Sequence, residues 1–135
     1  MGLDMYLFKR KKFRKNDPEF NEFVAEGRKE VCYWRKANEI RGWFVEHTGL
    51  KEDDNCRYIE LNKELLEELR DDCLFVLENK DRADEVIPTT SGFFFGSTEY
   101  DEGYFEDLRY TLRKVDKILD TTDFETEVIE YTDWW

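Results

Sequence analysis

Apolar residues change their spacing along this chain in a way that few architectures accommodate. Near the start, Leu3, Met5 and Leu7 alternate with Asp4, Tyr6 and Phe8, and this period of two predicts a strand with one face on a core. From Arg28 to about Thr48 the period becomes helical: Tyr33, Ala37, Ile40 and Phe44 fall at spacings of four, three and four, and Gly49 follows as a stop. On that helix Trp34, Asn38 and Arg41 form a stripe beside the core face. A second helical stripe runs through Leu66, Leu69, Cys73, Val76 and Leu77 with Asn62 as its N-cap. A third runs from Tyr104 through Leu108, Thr111, Leu112, Val115, Ile118 and Leu119. It starts near Asp101, and Glu102, Glu106 and Asp107 suit the positive end of its dipole. Short strands are expected around Cys56, Tyr58 and Leu61 and over Thr126 to Tyr131, where β-branched and aromatic residues gather. Asn16-Asp17-Pro18 reads as a turn, Phe20, Phe23 and Val24 as an apolar patch of undefined state, and Lys80 to Glu85 as a loop. The fold class is therefore α+β, with about three helices covering one face of a small, mostly antiparallel sheet in a single domain over residues 1–135.

At 135 residues, 40% hydrophobic and 16% aromatic, the chain has material for one core. No run of about eighteen apolar residues is present, and the basic residues follow the first apolar segment instead of preceding it, so neither a membrane span nor a secretory signal is expected. Cys32, Cys56 and Cys73 make an odd count without short spacing, which favours reduced thiols in a cytoplasm. The same spacing, with His47 as the lone histidine, argues against a metal site. Net charge is −12 and uneven: residues 1–15 carry six basic side chains against Asp4 alone, while residues 120–135 carry six carboxylates and no basic residue. A surface of this sign repels duplex nucleic acid.

Two strings stand out. In Tyr33-Trp34-Arg35-Lys36, with Asn38 and Arg41 beyond, cations beside an aromatic face could clamp a phosphate while a ring stacks on a base and Asn38 reads its edge. The same residues also suit a plain core face with solvated cations. In Thr89-Thr90-Ser91-Gly92-Phe93-Phe94-Phe95-Gly96-Ser97, glycines allow close backbone approach to a ligand and the hydroxyls can donate to it; a buried strand between glycine kinks is the structural alternative. Neither a Walker loop nor a dinucleotide fingerprint is present. Tyr100-Asp101-Glu102 could set two carboxylates at a pocket mouth, although a helix N-terminus explains them more simply. No constellation of nucleophile and base appears, so the chain reads as a binding module more readily than as an enzyme.

The opening MGLDMYL, the YWRKAN string, and GFFFGS followed by YDE together resemble a family of small phage and prophage proteins that carries no assigned activity. The resemblance spans most of the chain and implies an accessory protein in the cytoplasm of an infected bacterium. It transfers no functional residue. The resulting expectation is a non-enzymatic protein that binds and sequesters a nucleotide-like small molecule, such as a host immune signal. Its contacts would be Trp34, Arg35, Lys36, Asn38, Arg41, Gly92, Phe94, Gly96 and Ser97, with no cofactor or metal and with room for a homodimer. The alternative expectation is an acidic inhibitor that occupies a basic surface of a host factor, through nucleic-acid mimicry or through a tail ending in Trp134 and Trp135.

Overall fold

A computed structural model describes residues 2–12, 27–92 and 95–135. Its elements are β1 (Asp4–Lys11), β2 (Lys29–Arg35), α1 (Asn38–His47), β3 (Ile59–Leu61), α2 (Lys63–Glu78), a 3-10 turn (Lys80–Arg82) running into α3 (Ala83–Val86), α4 (Glu102–Thr121) and β4 (Glu127–Trp134). The sheet has four strands in the order β2-β1-β4-β3, antiparallel throughout. The α+β fold is as expected. No helix among the described residues is long and apolar enough to cross a membrane.

The first and last strands form the centre of the sheet, paired without a break from Asp4↔Trp134 to Lys11↔Glu127. On the helix-covered face lie Met5 and Leu7, Cys32 and Trp34, and Ile129 and Tyr131, all buried. They meet Ile40, Trp43 and Phe44 of α1, Leu66, Leu69, Cys73 and Val76 of α2, and Leu108, Val115 and Ile118 of α4 in one cluster. Each large apolar side chain buried in this way contributes roughly 1.5–3 kcal/mol. Asn62 caps α2 by accepting from the Leu65 amide at 2.8 Å, and Asp101 caps α4 by accepting from the Tyr104 amide at 3.1 Å.

Several expectations require correction. The helix expected from Arg28 begins only at Asn38, because Lys29–Arg35 is strand β2. Its true period is two: Cys32 and Trp34 point into the core while Tyr33 and Arg35 point out. The four-residue step from Tyr33 to Ala37 was coincidental. Lys36 separates the two elements, in a left-handed conformation with φ of 56°. The basic residues Lys9 to Lys11 that follow the first apolar segment are the last three residues of β1, and Arg10 is buried against Glu130 at 3.0 Å. The acidic end is no tail, since residues 127–134 are a central strand. The segment from Lys80 to Glu85 is helical, not loop. The described part of the glycine-bracketed segment, Gly92 and Phe95 to Ser97, is irregular chain, so the buried-strand alternative does not hold there. The Asn16-Asp17-Pro18 turn and the Phe20, Phe23, Val24 patch lie outside the described residues.

Candidate functional site

The clamp of Trp34, Asn38 and Arg41 on one helix does not form. Trp34 is on β2, 3% exposed, with its indole Nε1 donating to Thr111 Oγ1 at 2.8 Å and its ring edge-on to Phe44. Arg41 is 2% exposed; its Nε donates to Asp133 Oδ2 at 2.9 Å, and a terminal nitrogen donates to the Asp54 carbonyl at 2.8 Å. A buried guanidinium with these partners has a structural task. Arg35 is half exposed and pairs with Asp4 at 2.9 Å. Phe94 lies outside the described residues.

Asn38 has a structural task too, and it organises the site. Its side chain is buried, donates to the Phe95 and Ser97 carbonyls at 3.0 and 2.8 Å, and accepts from the Thr90 amide at 2.8 Å. One side chain thereby pins both limbs of the 90–97 segment to the start of α1. Gly96, at φ of +88°, passes so close to Lys36 that a Cβ there would lie 3.1 Å from the Lys36 Cβ. Gly92 leaves space for Phe95 to fold back, since a Cβ would come within 2.5 Å of that ring. The two strings distinguished in the sequence therefore touch, and the glycines serve this packing.

Where they touch, a cleft of about 230 Å³ opens between the Lys36 turn, the 97–103 segment and α4. Lys36 and Ser97, both expected as ligand contacts, line it together with Glu39, Glu99, Asp101, Gly103, Tyr104 and Asp107. Glu39 is 3% exposed and its Oε1 has no hydrogen-bond partner among the described residues. Burial, reinforced by the neighbouring Asp107 carboxyl, pushes its pKa up to about 10. Burial also raises Asp107, while the hydrogen bond from Glu39 holds it back. At neutral pH Glu39, the deeper of the two, therefore keeps its proton. Asp101 both caps α4 and lines the cleft, whereas Glu102 turns away to pair with Arg109. Tyr104 is tied down by its hydroxyl, which donates to the Ile87 carbonyl at 2.7 Å.

Lysines gather elsewhere. Lys9, Lys29, Lys114 and Lys117 border a second cavity of about 190 Å³ with Val31 and Ile118, and Lys9 Nζ donates to the Thr121 carbonyl at 3.0 Å. That cavity offers charge with few groups to read a base, whereas the Glu39 cleft offers donors and acceptors with little positive charge. Among the cleft residues, Glu39, Glu99 and Asp107 were not anticipated from sequence. Glu39 lies inside the first string, but a carboxylate in the first turn of a helix is ordinarily a solvated partner of the dipole. Comparison with protein-family models, curated proteins and solved structures returned no match.

Proposed function

We propose that this protein is a non-enzymatic capture module for a nucleotide-like small molecule, held at the cleft between Lys36, Glu39, Ser97 and Asp107. The observation that carries this reading is the Glu39–Asp107 pair at the cleft, in which Glu39 is buried, its carboxyl is pushed up by burial and by Asp107, and its Oε1 has no partner among the described residues. The unpartnered Glu39 Oε1 and the Asp107 carboxyl offer acceptors, with Lys36 and Ser97 beside them as donors. That pattern complements the mixed N–H and carbonyl edge of a nucleobase. The cleft, at about 230 Å³, is smaller than the roughly 300–1,000 Å³ that encloses a drug-sized ligand, so it suits one ring system with the remainder outside. Lys36 is the cation available for a phosphate at the rim, and the carboxylates of Glu99 and Asp101 suit ribose hydroxyls. The resemblance to small phage proteins supports an accessory role, in which the captured molecule is a host immune signal.

The test is mass spectrometry of small molecules released by denaturing protein purified from bacteria expressing a nucleotide-based defence. A base-containing species should accompany the native protein and be lost from Asp107→Ala at equal folded yield. Native protein that carries nothing, or an Asp107→Ala variant that carries the same species, contradicts the reading.

A second reading, an inhibitor of a host protein, is favoured by one surface. On the sheet face opposite the helices Tyr6 lies against Phe8, Tyr33 and Trp134, with ring centroids 5.5, 5.1 and 4.6 Å away, and Trp134 is 44% exposed. Large aromatics are favoured interface anchors. On this reading Tyr33→Ala with Trp134→Ala abolishes activity in cells while small-molecule capture is unaffected.

A further inference from the structure

We infer that His47, Glu68 and Asp72 form a binding site for a divalent transition-metal ion, at the opposite end of α1 from the cleft. The three side chains each offer a ligand atom, and these atoms lie within 4.8 Å of one another. The histidine is already oriented for the task. Its Nδ1 sits 2.8 Å from the Trp43 carbonyl, which can only accept, so the ring proton is on Nδ1 and the lone pair of the neutral ring is on Nε2. That Nε2 faces Glu68 Oε1 at 3.5 Å. Two acceptors turned toward each other at this distance would be stabilised by a cation between them. Imidazoles that bind metals generally donate their second nitrogen to a carbonyl or carboxylate, as His47 does.

Trp43 holds the rest of the arrangement. Its ring stacks on His47 with centroids 4.0 Å apart and planes within 11°, and its Nε1 donates to Asp72 Oδ2 at 2.8 Å. Asp72 is thereby held beside the histidine. Glu68 and Asp72 are one helical turn apart on α2, so both reach the same side. Zinc ligands at about 2.0–2.2 Å from a tetrahedral ion stand about 3.4 Å from each other. The His47–Glu68 distance already meets that spacing, and no ligand atom of the three lies more than 4.8 Å from another, so small side-chain rotations bring the set to it. One imidazole with two carboxylates balances a charge of two and suits zinc, or cobalt as its spectroscopic substitute, over calcium or magnesium. Water would complete the coordination.

The experiment is titration of the full chain in a Cys56→Ser background, which removes the exposed thiol as a competing ligand. Zinc binding is followed by calorimetry, and cobalt by its visible absorption. The expected result is one ion per chain with a tetrahedral cobalt spectrum, and binding weakened about tenfold or more by His47→Gln and by Asp72→Asn. Glu39→Gln should bind zinc as the parent does, since the cleft is a separate site. Absence of binding, displacement by equal calcium, or unaltered affinity in folded His47→Gln overturns the inference.

Discussion

Glu39 and Arg41 lie two residues apart in the first turn of one short helix, and their burial sets opposite demands. Arg41 is matched by Asp133, whose carboxylate also accepts from the Tyr131 hydroxyl. Arg41→Ala would leave that carboxylate buried without its cation, a loss of about 3–5 kcal/mol. Against a total stability of about 5–15 kcal/mol, thermal or urea melting should show a severely weakened fold; a near-native midpoint would show that water replaces the guanidinium. Glu39 has no such cation among the described residues, so the stability it contributes depends on pH in the less common direction. In the unfolded chain its carboxyl titrates near 4.5, in the folded protein at about 10. Between those values the folded state keeps a proton that the unfolded chain has released, so stability falls as pH rises, by at most about 1.4 kcal/mol per unit. Below that window the group contributes no difference, and above it the loss is complete. Glu39→Gln removes the titration while keeping a donor toward Asp107. Its melting temperature relative to the parent should therefore rise between about pH 5 and about pH 8; a constant difference would contradict a buried proton at this site.

The strands and helices differ in how far sequence revealed them, for a physical reason visible in β2 and β4. The helices α2 and α4 each bury a stripe long enough to repeat several times, and their caps, Asn62 and Asp101, are local hydrogen bonds legible from residue type. β2 is seven residues long, too short for its alternation to outweigh the helical period that follows it. It is a strand because β1 has an open edge to pair, a fact about the assembled sheet. β4 was read in part, but its carboxylates disguised its position: Glu130 and Asp133 are buried because Arg10, Arg28 and Arg41 meet them from distant parts of the chain. The cleft was legible to the same extent. Lys36 and Ser97 are conspicuous in sequence, whereas the Glu39–Asp107 pair exists only because α1 and α4 pack together. Deleting Asp133 to Trp135 removes pairing opposite Asp4 and Met5 and strands Arg41. The truncated chain should melt lower by about 10 °C or more, and an unchanged midpoint would show that the end of β4 is dispensable.

At the scale of the whole molecule, charge and shape divide the surface into zones of different use. A net charge of −12 gives a field that discourages polyanions, so on the proposed function a nucleotide would owe its affinity to the base and sugar more than to phosphate. The acid-lined cleft fits that division, since its floor is a carboxyl pair and Lys36 stands at its rim. The aromatic sheet face and the His47 cluster lie on other parts of the molecule, so each can be altered without touching the cleft. The central claim is the location of capture, and backbone-amide chemical-shift mapping tests it most directly. On titrating ¹⁵N-labelled protein with adenosine and guanosine 5′-monophosphates, the account predicts saturable shifts for at least one of them. These should be concentrated at Lys36, Glu39, Ser97, Gly103, Tyr104 and Asp107, and lost in Asp107→Ala. Shifts centred on Lys9, Lys29, Lys114 and Lys117, or no saturable shift with either nucleotide, would contradict it.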